Sequence, residues 1–376
     1  MKVLFLSNIP APYVVSYLNE LGKKADVEAY FEKASFSHRD KSWSSFNAEH
    51  FRLTILSGIS LNREFTIDFS FFREIRKNPD AIVLIANPLT PMGMLSILFC
   101  RIFGYTYGIQ SEGGMAKRNR GIREIIKRFI LPKADFYLSG MKGKNEYFTA
   151  YGADKSRVYY YPFASLAEKD MLSVRPDEKK KKELRGKLKI DSDKVVLFVG
   201  RVIQGKGIDV LIRAMNGFDS NCGVYIVGGT ETEELRNLAA TLGISNLYYI
   251  PFLSLKELKD YYMAADLFVL PTRYDTWGLV INEAMSYGLP VITTKNCVAG
   301  VELIQDGVNG YLTESEDYRD LNSKIHLILE NESLAGDMAE NNLKKIRDFT
   351  YEKMAATVFS VLEQYDPMKA KKSGYE

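Results

Sequence analysis

Two hydrophobic rhythms take turns along this chain. Short apolar runs at Val3–Ser7, Val27–Phe31, Phe51–Ile55, Ala81–Ile85, Tyr105–Gln110, Phe136–Ser139 and Val158–Tyr161 read as buried strands. Between them, Val14–Leu21, Ser70–Lys77, Gly93–Phe103 and Lys142–Tyr151 carry apolar residues at helical spacing. Strands that alternate with helices predict an α/β fold with a parallel, doubly wound sheet.

The rhythm breaks at residues 167–193, where the apolar fraction drops and four lysines run from Lys179 to Lys182. This stretch reads as a charged linker ending in a short helix. A second alternation follows: strands at Val195–Val199, Gly223–Val227, Leu247–Ile250, Leu267–Leu270 and Val291–Thr293, with helices at Ile208–Met215, Glu231–Leu242, Lys256–Ala264 and Trp277–Tyr287. The expected domains are therefore residues 1–166 and 194–348. A last helix lies within 349–366, and residues 367–376 form a frayed tail.

Composition narrows the class. The 376 residues exceed what one core usually supports, and 46% hydrophobic with 26% charged content is that of a water-soluble globular protein. A net charge of +3 gives no argument for nucleic acid. Cys100, Cys222 and Cys297 are widely spaced in apolar sequence, as expected of reduced thiols in the cytoplasm. The N-terminal apolar run breaks at Asn8 and Pro10, and Ala81–Gly104 is interrupted by Asn87, Pro88 and Pro91, so neither a signal core nor a membrane span is expected. No metal-ligand cluster is evident. One charge concentration stands out: Lys117 to Lys133 holds seven Lys or Arg and one acid, with Ile122, Ile125, Ile126, Phe129 and Ile130 at helical spacing. Lys117–Leu131 is expected either to lie on an anionic membrane surface or to pack its apolar stripe on its own core.

The candidate chemistry lies in two segments. Val195–Val199 is followed by Gly200-Arg201-Val202-Ile203-Gln204-Gly205-Lys206-Gly207, which brings two cations to the carboxyl end of a strand, where open α/β sheets bind ligands. This loop misses the P-loop pattern by one residue, because position 207 is Gly and lacks the Mg²⁺-binding hydroxyl. In the second segment Pro271 ends the run Ala265–Leu270, Asp275 occupies the next loop, and Glu283 follows eight positions later on a helix. The N–H groups of Thr276, Trp277, Gly278 and Leu279 lie near that helix's first turn, a setting suited to phosphate. Asp275 there is either a helix cap or a ligand-binding acid.

Together, VLFVGRVIQGKGIDVLIRA and PTRYDTWGLVINEAMSYGLPVITT closely resemble the donor-binding half of retaining glycosyltransferases of family 4 (glycosyl transferases group 1). The resemblance implies a GT-B fold, two doubly wound Rossmann-like domains facing across a cleft, with the last helix crossing back onto the first domain. It also implies transfer of a sugar from a nucleoside-diphosphate-sugar to an acceptor hydroxyl, with retention and without a metal cofactor. Arg201 and Lys206 would hold the diphosphate, Glu283 the ribose and Asp275 the donor sugar. Gly200, Gly229, Ile250, Phe252, Thr276, Trp277, Gly278 and Leu279 would complete the donor site. The family's first motif acid is usually Glu; here it is Asp275, one methylene shorter. In the first domain the family's Gly-rich loop and cleft histidine have no obvious counterpart, which leaves Pro12, Tyr13 and Glu112 as acceptor-side candidates. The expected partners are the nucleotide sugar, a sugar or lipid-linked acceptor and an anionic membrane surface, in a cytoplasmic protein peripheral to the inner face of the cell membrane. Bacterial surface polysaccharide or glycolipid assembly is the expected setting. The alternatives are a nucleotide-sugar epimerase, which the scarcity of histidine (His38, His50, His326) disfavours, and a P-loop-like NTPase.

Overall fold

The computed structural model describes residues 1–35, 47–60, 65–114, 116, 121–142 and 146–369. The chain forms two compact units, Met1–Ala164 with Thr350–Glu376, and Ser165–Phe349.

The first unit is built on seven parallel strands. In chain order they are β1 (Lys2–Ser7), β2 (Asp26–Phe31), β3 (Arg52–Ile55), then, after a two-stranded antiparallel ribbon of β4 (Ile59–Ser60) and β5 (Thr66–Ile67), β6 (Ile82–Ile85), β7 (Tyr107–Ser111), β8 (Phe136–Ser139) and β9 (Val158–Tyr160). The order β3-β2-β1-β6-β7-β8-β9 reverses between β1 and β6. Val3, Leu4, Phe5 and Leu6 and all four residues of β6 are buried, as strands covered on both faces require. The helices are α1 (Pro12–Gly22), α2 (Phe69–Lys77), α3 (Pro91–Phe103), α4 (Ile122–Ile130) and α5 (Glu146–Ala150).

The second unit opens with α6 (Glu178–Leu188) and continues through β10 (Lys194–Val199), α7 (Ile208–Ala214), β11 (Cys222–Val227), α8 (Glu233–Leu242), β12 (Leu247–Ile250), α9 (Leu255–Ala264), β13 (Leu267–Leu270), α10 (Leu279–Ser286), β14 (Val291–Thr294), α11 (Val298–Leu303), β15 (Gly310–Thr313), α12 (Tyr318–Leu329) and α13 (Glu332–Ile346). Its parallel sheet has the order β12-β11-β10-β13-β14-β15 and reverses between β10 and β13. The last helix, α14 (Tyr351–Gln364), belongs to the first unit and packs on α1.

One expectation is corrected. The stretch expected to be a charged linker is largely built into the second unit. Lys181 and Arg185 of α6 pair with Asp266 at 2.8 and 2.7 Å, and the same carboxylate accepts the Val195 amide at 2.8 Å. Lys181 and Arg185 are thus anchored at the strand starts, whereas Lys179, Lys180 and Lys182 are exposed. For α4, expected to begin at Lys117, residues 117–120 lie outside the described residues. Most of its apolar stripe does not pack on the core: Ile122, Ile125 and Phe129 are 76%, 61% and 67% exposed, while Ile130 of the stripe and Glu124 are buried. Glu124 is accommodated because the Tyr151 hydroxyl donates to one oxygen and Lys127 Nζ to the other at 2.9 Å. Arg101 secures the far end by donating to the Phe129, Ile130 and Pro132 carbonyls.

Candidate functional site

The loops after β10 and β13 flank the point where strand order reverses, the place at which open α/β sheets form a ligand crevice. Backbone and side-chain bonds tie them together. The Arg273 amide and the Thr272 hydroxyl both donate to the Gly205 carbonyl at 2.9 Å. Gly207 adopts φ +70°, and a Cβ there would overlap the carbonyl oxygen of Pro271, so only glycine permits this approach. The Arg273 guanidinium adds a bidentate pair with Asp209 on the first turn of α7, both bonds 2.8 Å, and reaches Glu316. Residues 43 to 69 positions apart thus form one rigid rim.

On this rim Lys206 pairs with Asp275, each side chain 18% exposed. The motif cation and the motif acid are therefore adjacent before any ligand arrives. Asp275 does not cap α10: its carboxylate faces Lys206, the helix starts at Leu279 rather than Trp277, and Gly278 in the left-handed region (φ +97°) precedes it. A Cβ at Gly278 would crowd the Cys297 sulfur, which explains the glycine. The Thr276, Gly278 and Leu279 N–H groups donate to no described residue, so these positive dipole ends remain available. Trp277 is different. Its indole is buried and donates to Asn282 Oδ1 at 2.8 Å, and its carbonyl accepts the Ala299 amide at 2.8 Å. Its side chain builds the turn's floor.

Arg201 is exposed and makes no ion pair with a described residue. Next to it, the Gly200 amide donates to Val227 O at 2.9 Å, and the Gly228 and Gly229 amides donate to Ile250 O at 3.0 and 3.3 Å. The ends of β10, β11 and β12 thereby bring Gly200, Gly229 and Ile250 to one edge, with Phe252 exposed just beyond.

Glu283 is buried on α10, and the partner that its burial demands is Tyr262 of α9, whose hydroxyl donates to Oε2 at 2.8 Å. Burial pushes its carboxyl up to about 7, with the Tyr262 hydrogen bond pulling the other way. Sequence reasoning missed both Tyr262 and the Asp209–Arg273–Glu316 cluster. No local spacing marks either, since each contact is made through the sheet topology.

In the first unit, two candidates named separately meet: the Tyr13 hydroxyl donates to Glu112 Oε1 at 2.6 Å, and the Tyr13 ring stands edge-on to Phe163. Pro12 is exposed at the first turn of α1. Among the described residues, no group of three or more His, Cys, Asp or Glu is placed to hold a metal, and no helix is long and apolar enough to cross a membrane.

Residues 180–345, which include both loops, match the sequence model of the family described as Glycosyl transferases group 1. That match spans 166 of the 376 residues, all within the second unit. An uncharacterized glycosyltransferase of Methanocaldococcus jannaschii is 31% identical over 170 residues, covering 45% of this chain and 47% of that protein. A D-inositol 3-phosphate glycosyltransferase of Xylanimonas cellulosilytica is 28% identical over 222 residues, covering 57% and 53%. The chain thus spans about half the length of the curated relatives it matches. Solved structures extend the likeness in fold to both units. The Anabaena protein HepE in complex with UDP superposes with a TM-score of 0.77 at 16% identity, covering 97% of this chain and all of that one. Sucrose-phosphate synthase from Thermosynechococcus elongatus gives 0.73 at 19% identity, covering 97% and 99%. The fold is GT-B, and the residues that match the family model lie in its second Rossmann-like unit.

Proposed function

We propose that this chain is a retaining glycosyltransferase that moves a sugar from a nucleoside-diphosphate-sugar to an acceptor hydroxyl. The observation that carries the reading is the convergence, at the switch point of the second unit, of Arg201, the Lys206–Asp275 pair and the open amides before α10. HepE has been solved with UDP and with UDP-glucose, which supports a nucleotide-sugar donor here. Arg201, Lys206 and the open amides stabilise the diphosphate as negative charge develops on it, so that catalysis is chiefly electrostatic and proceeds without a divalent metal. Glu283 receives the ribose, Asp275 the sugar hydroxyls, and Gly229 with Ile250 and Phe252 the base. Pro12, Tyr13 and Glu112 serve the acceptor.

The acceptor is carried at a membrane, in the assembly of a surface polysaccharide or glycolipid. The exposed face of α4, with Ile102 and Phe103 at the end of the adjoining α3, supports peripheral contact with the cytoplasmic leaflet. Its basic residues contribute less than their number suggests. Lys127 is engaged by Glu124 and Arg128 by the Ala150 carbonyl, so apolar insertion outweighs charge. The testing experiment is a thermal-shift screen of UDP-, GDP-, ADP- and dTDP-sugars. One of them raises the melting temperature of the wild type and not of the Arg201→Ala/Lys206→Ala variant. Equal stabilisation of both proteins overturns the phosphate assignment.

A further inference from the structure

Tyr262 lies outside both sequence motifs, on the helix before β13, yet its phenol is the group that meets Glu283. Its ring is buried, stacked on Tyr287 with centroids 5.3 Å apart and 12° between planes, and tilted against Phe268 at 6.0 Å. A phenol held on two sides cannot follow a moving carboxylate, so it sets the carboxylate's orientation. Oε2 takes the Tyr262 hydrogen bond, whereas Oε1 makes none with a described residue and is not sealed from solvent.

We propose that Tyr262 is a positioning residue of the donor site: by holding Oε2 inward it presents Oε1 of Glu283 to the ribose hydroxyls of a nucleoside diphosphate. The proposal rests on the assignment of Glu283 to the ribose. The groups that face the carboxyl are Tyr262 from α9 and Tyr287 at the end of its own helix; no described Lys, Arg or His supports its charge. Tyr262 is then the donor that keeps the acid ionised against burial, and without it Glu283 meets the ribose as a weaker acceptor.

The test uses the full chain and whichever of UDP, GDP or ADP binds it most tightly, together with the 2′,3′-dideoxy counterpart, by calorimetry at pH 7.5. The wild type is expected to prefer the ribonucleotide by about tenfold or more, the cost of leaving a charged acceptor unmet. Tyr262→Phe, which keeps both ring contacts, and Glu283→Gln each lose most of that preference while binding the dideoxy nucleotide as before. Tyr262→His, which keeps a ring donor, recovers part of it and serves as the second variant if the phenylalanine chain does not fold. In Tyr262→Phe the preference for the ribonucleotide also reappears only at higher pH, a shift that a purely structural role would not produce. If the wild type and Glu283→Gln discriminate equally, the ribose assignment falls and the proposal falls with it. If Glu283→Gln loses discrimination and Tyr262→Phe keeps it, the role of Tyr262 alone is overturned.

Discussion

Glu283→Gln should stabilise the protein at alkaline pH while harming donor binding. The substitution keeps the shape and an acceptor for the Tyr262 hydroxyl, and removes only the charge. Burial raises the carboxyl from 4.5, its ordinary value, to about 7 in the fold. Between these values the folded chain holds a proton that the unfolded chain has released, so stability falls as pH rises through the window and the full cost persists above it. At about 1.4 kcal/mol per tenfold change in proton affinity, the cost is up to ~3 kcal/mol at pH 8 and under ~1 kcal/mol at pH 5. The new amide N–H group needs a partner of its own, which reduces the gain to ~1–2 kcal/mol. That corresponds to several degrees, at about 2–4 °C per kcal/mol for a unit of this size. Melting curves of both proteins at pH 5 and pH 8 measure it. A variant that is less stable at pH 8, or whose advantage is the same at both pH values, would refute the reasoning.

Further outcomes follow from the same site and from α4. Arg201→Ala and Lys206→Ala each lower kcat/KM with the identified donor by about 10² to 10³, the loss of one preorganised electrostatic donor, with circular dichroism unchanged. Turnover persists in EDTA, and a strict requirement restored by Mg²⁺ would favour nucleotide hydrolysis instead. Ile125→Glu with Phe129→Glu abolishes flotation on anionic liposomes, whereas raising salt weakens wild-type flotation only in part. Equal flotation of the variant would remove α4 from the membrane contact.

The second sheet and the two motif loops were legible because β10 to β14 are largely apolar runs, each bounded at one end by glycine or proline, and local pattern suffices for that. Direction was not legible. Periodicity showed that α4 is amphipathic but not which face turns inward; the inward face carries Glu124, to which the Tyr151 hydroxyl, 27 residues on, donates. The start of α10 slipped by two residues because Trp277 looks helical in sequence, while Gly278 needs a left-handed turn against Cys297. The short strand β15 and helices α11 to α13 went unread, lying in polar or mixed sequence whose apolar positions make sense only against the sheet. Asp275 was correctly placed in a loop, but only coordinates distinguish a helix cap from a partner of Lys206.

The first unit is assembled from the two ends of the chain, and this orders events during synthesis. Strands β1 to β9 leave the ribosome without the helix that completes their layer, and the whole second unit is made before α14 arrives. The contiguous unit can finish its core early, while the face of α1 that α14 will cover stays open. Closure then depends on late contacts: Tyr365 packs its ring on Phe136 at 4.8 Å and shares a 3.0 Å hydroxyl bond with Tyr159. A premature stop between Phe349 and Tyr365 therefore damages the half of the molecule translated first, and leaves the second unit complete.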